Sequence, residues 1–186
     1  LYCMGRSTIH QEPLELDVQF RKAPGRDDAR RMLADLQANL NRDADARKQY
    51  EALLARSRDP AVAINLAWVL ATSPDPAVAD PQRAVALAEA ACRARGTRDA
   101  RWLMILASAY ARAGRMDAAV RLQRRAIEAL PKDQPEQVHR FEERLKLYAA
   151  GEPYVRTPAP EAPARTHEES RPRAGPPGHE KTQPSA

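Results

Sequence analysis

An all-α fold is predicted by three features of the chain. Between residues 27 and 150, apolar side chains recur at helical spacing. Acidic residues and prolines stand where helices would begin and end. The helical stretches come in short pairs whose key positions repeat along the chain.

Each helix has its own signals. Asp27 or Asp28 can cap a first helix running to Asn41, with Met32, Leu33, Leu36 and Leu40 at the helical period. A second follows Asp43 and carries Ala46, Tyr50, Leu53 and Leu54 to about Ser57. Pro60 punctuates, and a third runs from Ala61 to about Thr72. Ser73-Pro74-Asp75-Pro76 stops it, because proline lacks the backbone N–H and clashes with the preceding turn. The fourth has Asp80 at its N-cap, Pro81 at its first position and Gly96 just past its end. Asp99 caps a fifth, from Ala100 to Arg112, which stops near Gly114. A sixth spans about Met116 to Leu130, with Pro131 after it. The seventh runs from about Pro135 to Ala150, and its Val138, Phe141, Leu145 and Tyr148 form one apolar face.

The flanks differ from this span. In 1–26, Leu14, Leu16, Val18 and Phe20 alternate with Glu15, Asp17 and Gln19, the period of a half-buried strand over 14–20. A lone strand is unstable in water. The segment therefore either pairs with chain outside this sequence or forms an extended lead-in packed on the helices, the second being favoured. Residues 152–186 are expected to be disordered. Eight of the sixteen prolines fall after residue 150, and no large apolar side chain follows Val155. Ordering such a tail would cost roughly 1–2 kcal/mol per residue with little apolar burial to offset it. Pro160-Glu161-Ala162-Pro163 fits the minimal pattern of a proline-groove ligand, but a solvated linker accounts for it as well.

Composition narrows the function. The two cysteines, Cys3 and Cys92, lie far apart, and the four histidines are scattered, so neither a disulfide framework nor a metal site is expected. No glycine-rich nucleotide loop and no nucleophile–base motif occurs, and the expectation is a protein that is not an enzyme and holds no cofactor. His139 and Glu143, one helical turn apart, read as a surface pair rather than a catalytic dyad. No apolar run approaches the ~20 residues of a membrane span. No signal peptide is visible, so a cytoplasmic location is favoured, or a periplasmic one if a signal lies upstream of Leu1. The net charge of +5 comes from 25 Arg and 5 Lys and is local. Residues 27–100 balance, whereas 101–150 carry 10 basic against 6 acidic side chains.

The first helix of each pair carries Leu-Ala: Leu33-Ala34, Leu66-Ala67 and Leu106-Ala107. Three residues beyond each Ala stand Gln37, Leu70 and Tyr110. The second helices carry Ala46/Tyr50/Leu53, Ala84/Ala88/Ala91 and Ala119/Gln123/Ala126 at matching spacing. Leu103, Leu106, Ala107, Tyr110, Gly114, Ala119, Ala126 and Pro131 follow the pattern W-x2-L-G-x2-Y, A-x3-F, P in register. On these residues the chain resembles the tetratricopeptide repeat (TPR) family, in a bacterial subtype. The copies would be 27–59, 60–97 and 98–131, the middle one with an insertion between Pro74 and Asp80. Departures are Leu103 for Trp, Gln123 for the aromatic residue and Gln37 for Tyr.

The resemblance implies a right-handed α-solenoid of about three hairpins over 27–151, closed by a C-terminal capping helix at 135–150. That cap would be polar on its outside through Glu136, Arg140, Glu143 and Lys146. It also implies a concave groove lined by the first helices. The lining would be Arg31 and Asp35, then Ile64, Asn65 and Trp68, then Arg101, Met104, Ser108 and Arg112. Some family members clamp a C-terminal carboxylate with Lys, Asn and Arg from three repeats. Arg31, Asn65 and Arg101 fall on clamp-like positions, but the Asp35 charge would repel a carboxylate and Ile105 replaces a cation. A helix-to-helix hydrogen bond is the simpler role for Asn65, and Trp68 reads either as a groove anchor or as a ring packed beneath the insertion.

The functional expectation is a scaffold or adaptor that binds a protein or peptide in that groove. One alternative is a nucleic-acid binder using Arg112, Arg115, Arg121, Arg124 and Arg125. Against it, the cluster has no interleaved aromatics for base stacking. Another is the non-catalytic repeat region of a larger enzyme.

Overall fold

A computed structural model of the 186-residue chain describes residues 27–95, 99–131 and 133–157. The alternating segment 14–20, the Gly96 helix stop and the proline-rich stretch from residue 158 lie outside the described residues. Among the described residues the secondary structure is all-helical, with seven helices and no strand. They are α1 (Asp27–Asn39), α2 (Asp43–Leu54), α3 (Pro60–Thr72), α4 (Pro81–Arg95), α5 (Ala100–Arg112), α6 (Met116–Glu128) and α7 (Pro135–Ala149).

The boundaries are set by short-range chemistry. The Asp59 carboxylate accepts from the Ala61 N–H at 2.8 Å, with Pro60 opening α3. Asp99 accepts from Arg101 and Trp102 at 2.9 and 3.2 Å to start α5, and Asp80 accepts from Arg83 at 3.0 Å at the head of α4. Three helices end on one shared device. Arg42 N–H bonds Gln37 C=O, Arg115 bonds Tyr110, and Glu152 bonds Leu147, all between 2.8 and 2.9 Å. The residue before each donor takes positive φ: Asn41 at 56°, Gly114 at 79° and Gly151 at 82°. Glycine adopts that backbone without a Cβ penalty and asparagine tolerates it.

The helices pair in chain order, α1 with α2, α3 with α4 and α5 with α6, and α7 packs on α6. Each pair meets the next through a first helix: α3 lies on α2, and α5 lies on both α3 and α4. The loop between α3 and α4 is tied down rather than free. Val78 is buried, Asp80 N–H bonds Leu70 C=O at 3.1 Å, and the Arg47 guanidinium reaches the carbonyls of Ala77 and Val78.

Three buried clusters follow one another along the stack. The first joins Ala34, Tyr50 and Leu53 to Leu66, Leu70 and Ala84. The second joins Ala67, Ala88 and Cys92 to Leu103, Ile105 and Phe141. The third joins Ala107, Ala111 and Ala119 to Tyr148 of α7. The repeated positions named above are buried in every pair apart from Tyr110, which is half-buried. Alanine at crossings such as Ala84 and Ala88 removes the bulk that holds helix axes roughly 8–10 Å apart.

Two sequence expectations need correcting here. Leu33 is buried as its period implied, but Met32 and Leu40 are 53% and 43% exposed. The face of α1 that is covered is Leu33, Ala34, Gln37 and Ala38, the side on which α2 and α3 lie. Residues 152–157, expected to begin the disordered tail, instead run as an irregular, non-helical stretch from α7 to α3 and the α1–α2 turn. Tyr154 and Arg156 supply the contacts that the proline count hid.

Candidate partner-binding groove

Successive first helices place Asp35, Asn65 and Arg101 side by side. The Tyr50 hydroxyl, from α2, donates to Asp35 Oδ1 at 2.6 Å, and Asn65 Nδ2 donates to the same oxygen at 3.0 Å. Arg101 Nη2 donates to Asn65 Oδ1 at 3.3 Å. This ladder crosses α2, α1, α3 and α5 and fixes their spacing. Burial first, then the Asp35 bond, pushes the Tyr50 hydroxyl well above its ordinary pKa, so it remains a donor. Asn65 thus makes the helix-to-helix bond expected of it.

One turn beyond Asn65, the Trp68 ring is half-buried. Tyr154 stacks on it with ring centres 5.9 Å apart and planes 22° from parallel. The Arg144 guanidinium, from α7, lies 5.3 Å from the Trp68 ring and 4.4 Å from the Tyr154 ring. Arg156 also comes within 5.9 Å of the Trp68 ring. Cation–ring contacts of this kind gain from partial exclusion of water.

Arg156 is the most heavily bonded side chain of the region. Its Nη2 donates to Asp43 Oδ1 at 2.6 Å, and its Nε donates to Thr72 Oγ1 at 2.9 Å. Nη1 donates to Ala38 C=O at 2.7 Å and to Asn41 Oδ1 at 3.4 Å. The Arg156 backbone N–H bonds Thr72 C=O at 2.9 Å. Side-chain exposure is only 10% for Arg156 and 5% for Asp43, so this ion pair is largely out of water.

Two cavities open on the first-helix face. One, of about 240 Å³, is lined by Asp35, Ala38, Asn39, Tyr50, Asn65, Trp68 and Arg101. The other, of about 330 Å³, is lined by Arg101, Met104, Gln137, Arg140, Phe141 and Arg144. Arg101 borders both. The second cavity is basic and partly aromatic, a setting suited to acidic or aromatic groups of a ligand.

The sequence-derived lining is therefore only partly brought together. Asp35, Asn65, Trp68 and Arg101 meet at the first cavity, and Met104 lines the second. Ile64 is a correction: it is 2% exposed and belongs to the core with Ala88 and Leu103, because α3 is covered on several sides by α2, α4 and α5. Ser108 is a second correction. It is 1% exposed and bonded to Met104 C=O and to the Tyr148 hydroxyl, both at 2.9 Å, so α7 seals it. Burial of that hydroxyl pushes the Tyr148 pKa up to about 12. Arg31 is exposed and lies 4.0 Å from Asp28, apart from both cavities. Arg112 donates to Ser73 C=O at 3.3 Å, joining α5 to the end of α3.

Tyr50, Asp43, Arg144, Tyr154 and Arg156 were absent from the sequence-derived set. Tyr154 and Val155 are the last large apolar residues of the chain, and that was the available signal. Among the described residues no helix is long and apolar enough to cross a membrane, and no His/Cys/Asp/Glu group has metal-binding geometry. No family model, curated protein or solved structure matches the chain.

Proposed function

We propose that the chain is a right-handed α-solenoid of the TPR type that works as a non-catalytic scaffold or adaptor, binding an extended protein segment on its first-helix face. The observation that carries this reading is the chain's own segment 152–157, a non-helical stretch held there by an aromatic stack and an arginine. The Asp35–Asn65–Arg101 ladder supports it by keeping three helices in fixed relation, so the face is preorganised and little ordering cost falls on binding. The basic exposed side chains Arg121, Arg124 and Arg125 sit on α6, a second helix, and take no part in this face.

A displayed library of random peptides, panned against the full chain carrying Arg156→Ala, tests the proposal. Enriched peptides should lose about 2 kcal/mol or more of affinity when Trp68→Ala is added, as expected of a buried aromatic anchor. Absence of enrichment, or enrichment indifferent to Trp68, would sink it.

A further inference from the structure

We propose that the groove's partner is an extended segment with an aromatic residue two positions before an arginine, and that residues 152–157 are the chain's own copy of that ligand. The inference rests on the peptide-binding reading above and names the ligand it takes.

The segment has the anatomy of a bound peptide. It is neither helix nor strand, and beyond the end of α7 its main-chain bond to the helices is Arg156 N–H to Thr72 C=O. Two side chains carry the contact, Tyr154 on Trp68 and Arg156 at Asp43, with an exposed Val155 between them. With Tyr154 and Arg156 both engaged and Val155 between them turned to solvent, an aromatic–x–Arg spacing is what this face reads.

The receiving site selects its occupant. Ala38 C=O, Asn41 Oδ1, Asp43 Oδ1 and Thr72 Oγ1 are all arranged as acceptors around one guanidinium. A planar fork with five N–H donors matches that set, and a lysine ammonium does not. If the segment leaves and nothing follows, the Asp43 carboxylate loses its cation in a site largely screened from water. An occupant without an arginine inherits that penalty, whereas one with an aromatic–x–Arg sequence remakes each bond and exchanges at little cost.

The internal copy also sets a threshold. Only Ala150 to Pro153 lie between α7 and Tyr154, and a linker that short gives a tethered ligand an effective concentration on the order of millimolar. A free partner with the same two anchors must exceed that concentration or bring further contacts. The cavity bounded by Arg101, Phe141 and Arg144 is the nearest surface that could provide them.

The test uses the full chain with Tyr154→Ala and Arg156→Ala together, and a fluorescent peptide of residues 151–157. The double variant should bind this peptide about ten-fold or more tighter than the wild type does, because the tethered competitor is gone. The peptide should raise the unfolding temperature of the variant and leave that of the wild type unchanged. Replacing the peptide's arginine by alanine, or by lysine, should abolish or sharply weaken both effects. If the double variant is unfolded, Tyr154→Ala alone keeps the ion pair and should give a smaller gain of the same sign. A folded variant that ignores the peptide, or binds the alanine version equally well, overturns the inference. Trp68-dependent peptides without an aromatic–x–Arg sequence would overturn it too, while leaving the groove reading standing.

Discussion

Asp43 and Arg156 show how much can rest on one pair of side chains. Their 2.6 Å contact is largely out of water at both ends, so deleting one partner strands a charge rather than merely losing a bond. Arg156→Ala should destabilise the chain by about 3–5 kcal/mol in urea unfolding. Adding Asp43→Ala should recover part of that loss, and strict additivity would mean the two residues are not coupled. A second, pH-dependent pair of contacts involves Glu51 and Glu89. Burial raises the Glu51 pKa, but bonds from Arg47 and Arg83 outweigh it and hold the carboxyl below its ordinary value. Glu89 is held down first by the Tyr110 hydroxyl at 2.6 Å. A depressed folded-state pKa contributes stability above the ordinary value near 4.5, and that contribution is lost as the pH falls through the folded value. Stability should therefore decline below about pH 4.5, and Glu51→Gln should flatten that part of the profile; an unchanged profile would mean the Arg83 bridge contributes nothing in solution. At this scale the sequence was an uneven guide. Asn65 announced a helix-to-helix hydrogen bond, and Asp80 and Asp99 announced caps, because each acts within a turn or on a neighbouring helix; the Asp59 cap went unread beside Pro60. Asp43 announced only a helix start, since the group that buries it lies 113 residues away.

At the level of elements, the helices follow from punctuation and small residues. Ala84, Ala88 and Ala91 line one face of α4 and are each no more than 2% exposed, so nothing larger fits where α4 crosses its neighbours. Ala88→Leu should cost roughly 1–3 kcal/mol through overpacking. Unchanged thermal unfolding would mean α4 can shift to accept the extra volume. What the pattern could not convey was which face of a helix is covered. Met32, Leu36 and Leu40 look like a core stripe in α1, yet the covered face starts one position on at Leu33, where α2 and α3 sit. Ile64 beside Asn65 poses the reverse case, a position on the expected groove face that a crowded helix draws into the core. Periodicity gives the existence of a face, and neighbours decide its angle. The α3–α4 loop was legible as a helix break from its prolines, but its tie to Arg47 of α2 depends on a contact 30 to 31 residues back.

Over the whole molecule, each helix packs against helices one or two places away in the chain. If the pairs form the proposed solenoid, it behaves as a row of nearest neighbours, and a row opens from its ends. Arg156 changes that by reaching 113 to 118 residues back to the first hairpin, so the last described stretch of chain fastens the first helices. Closing so long a loop is entropically expensive and should come after the local helix pairs have formed. Contacts made after the folding transition state slow unfolding without speeding folding. Stopped-flow measurements on Arg156→Ala should thus show a faster unfolding limb and a nearly unchanged folding limb. The short C-terminal segment would then act as a clasp in time as well as in space: it determines how long the stack, once formed, remains shut.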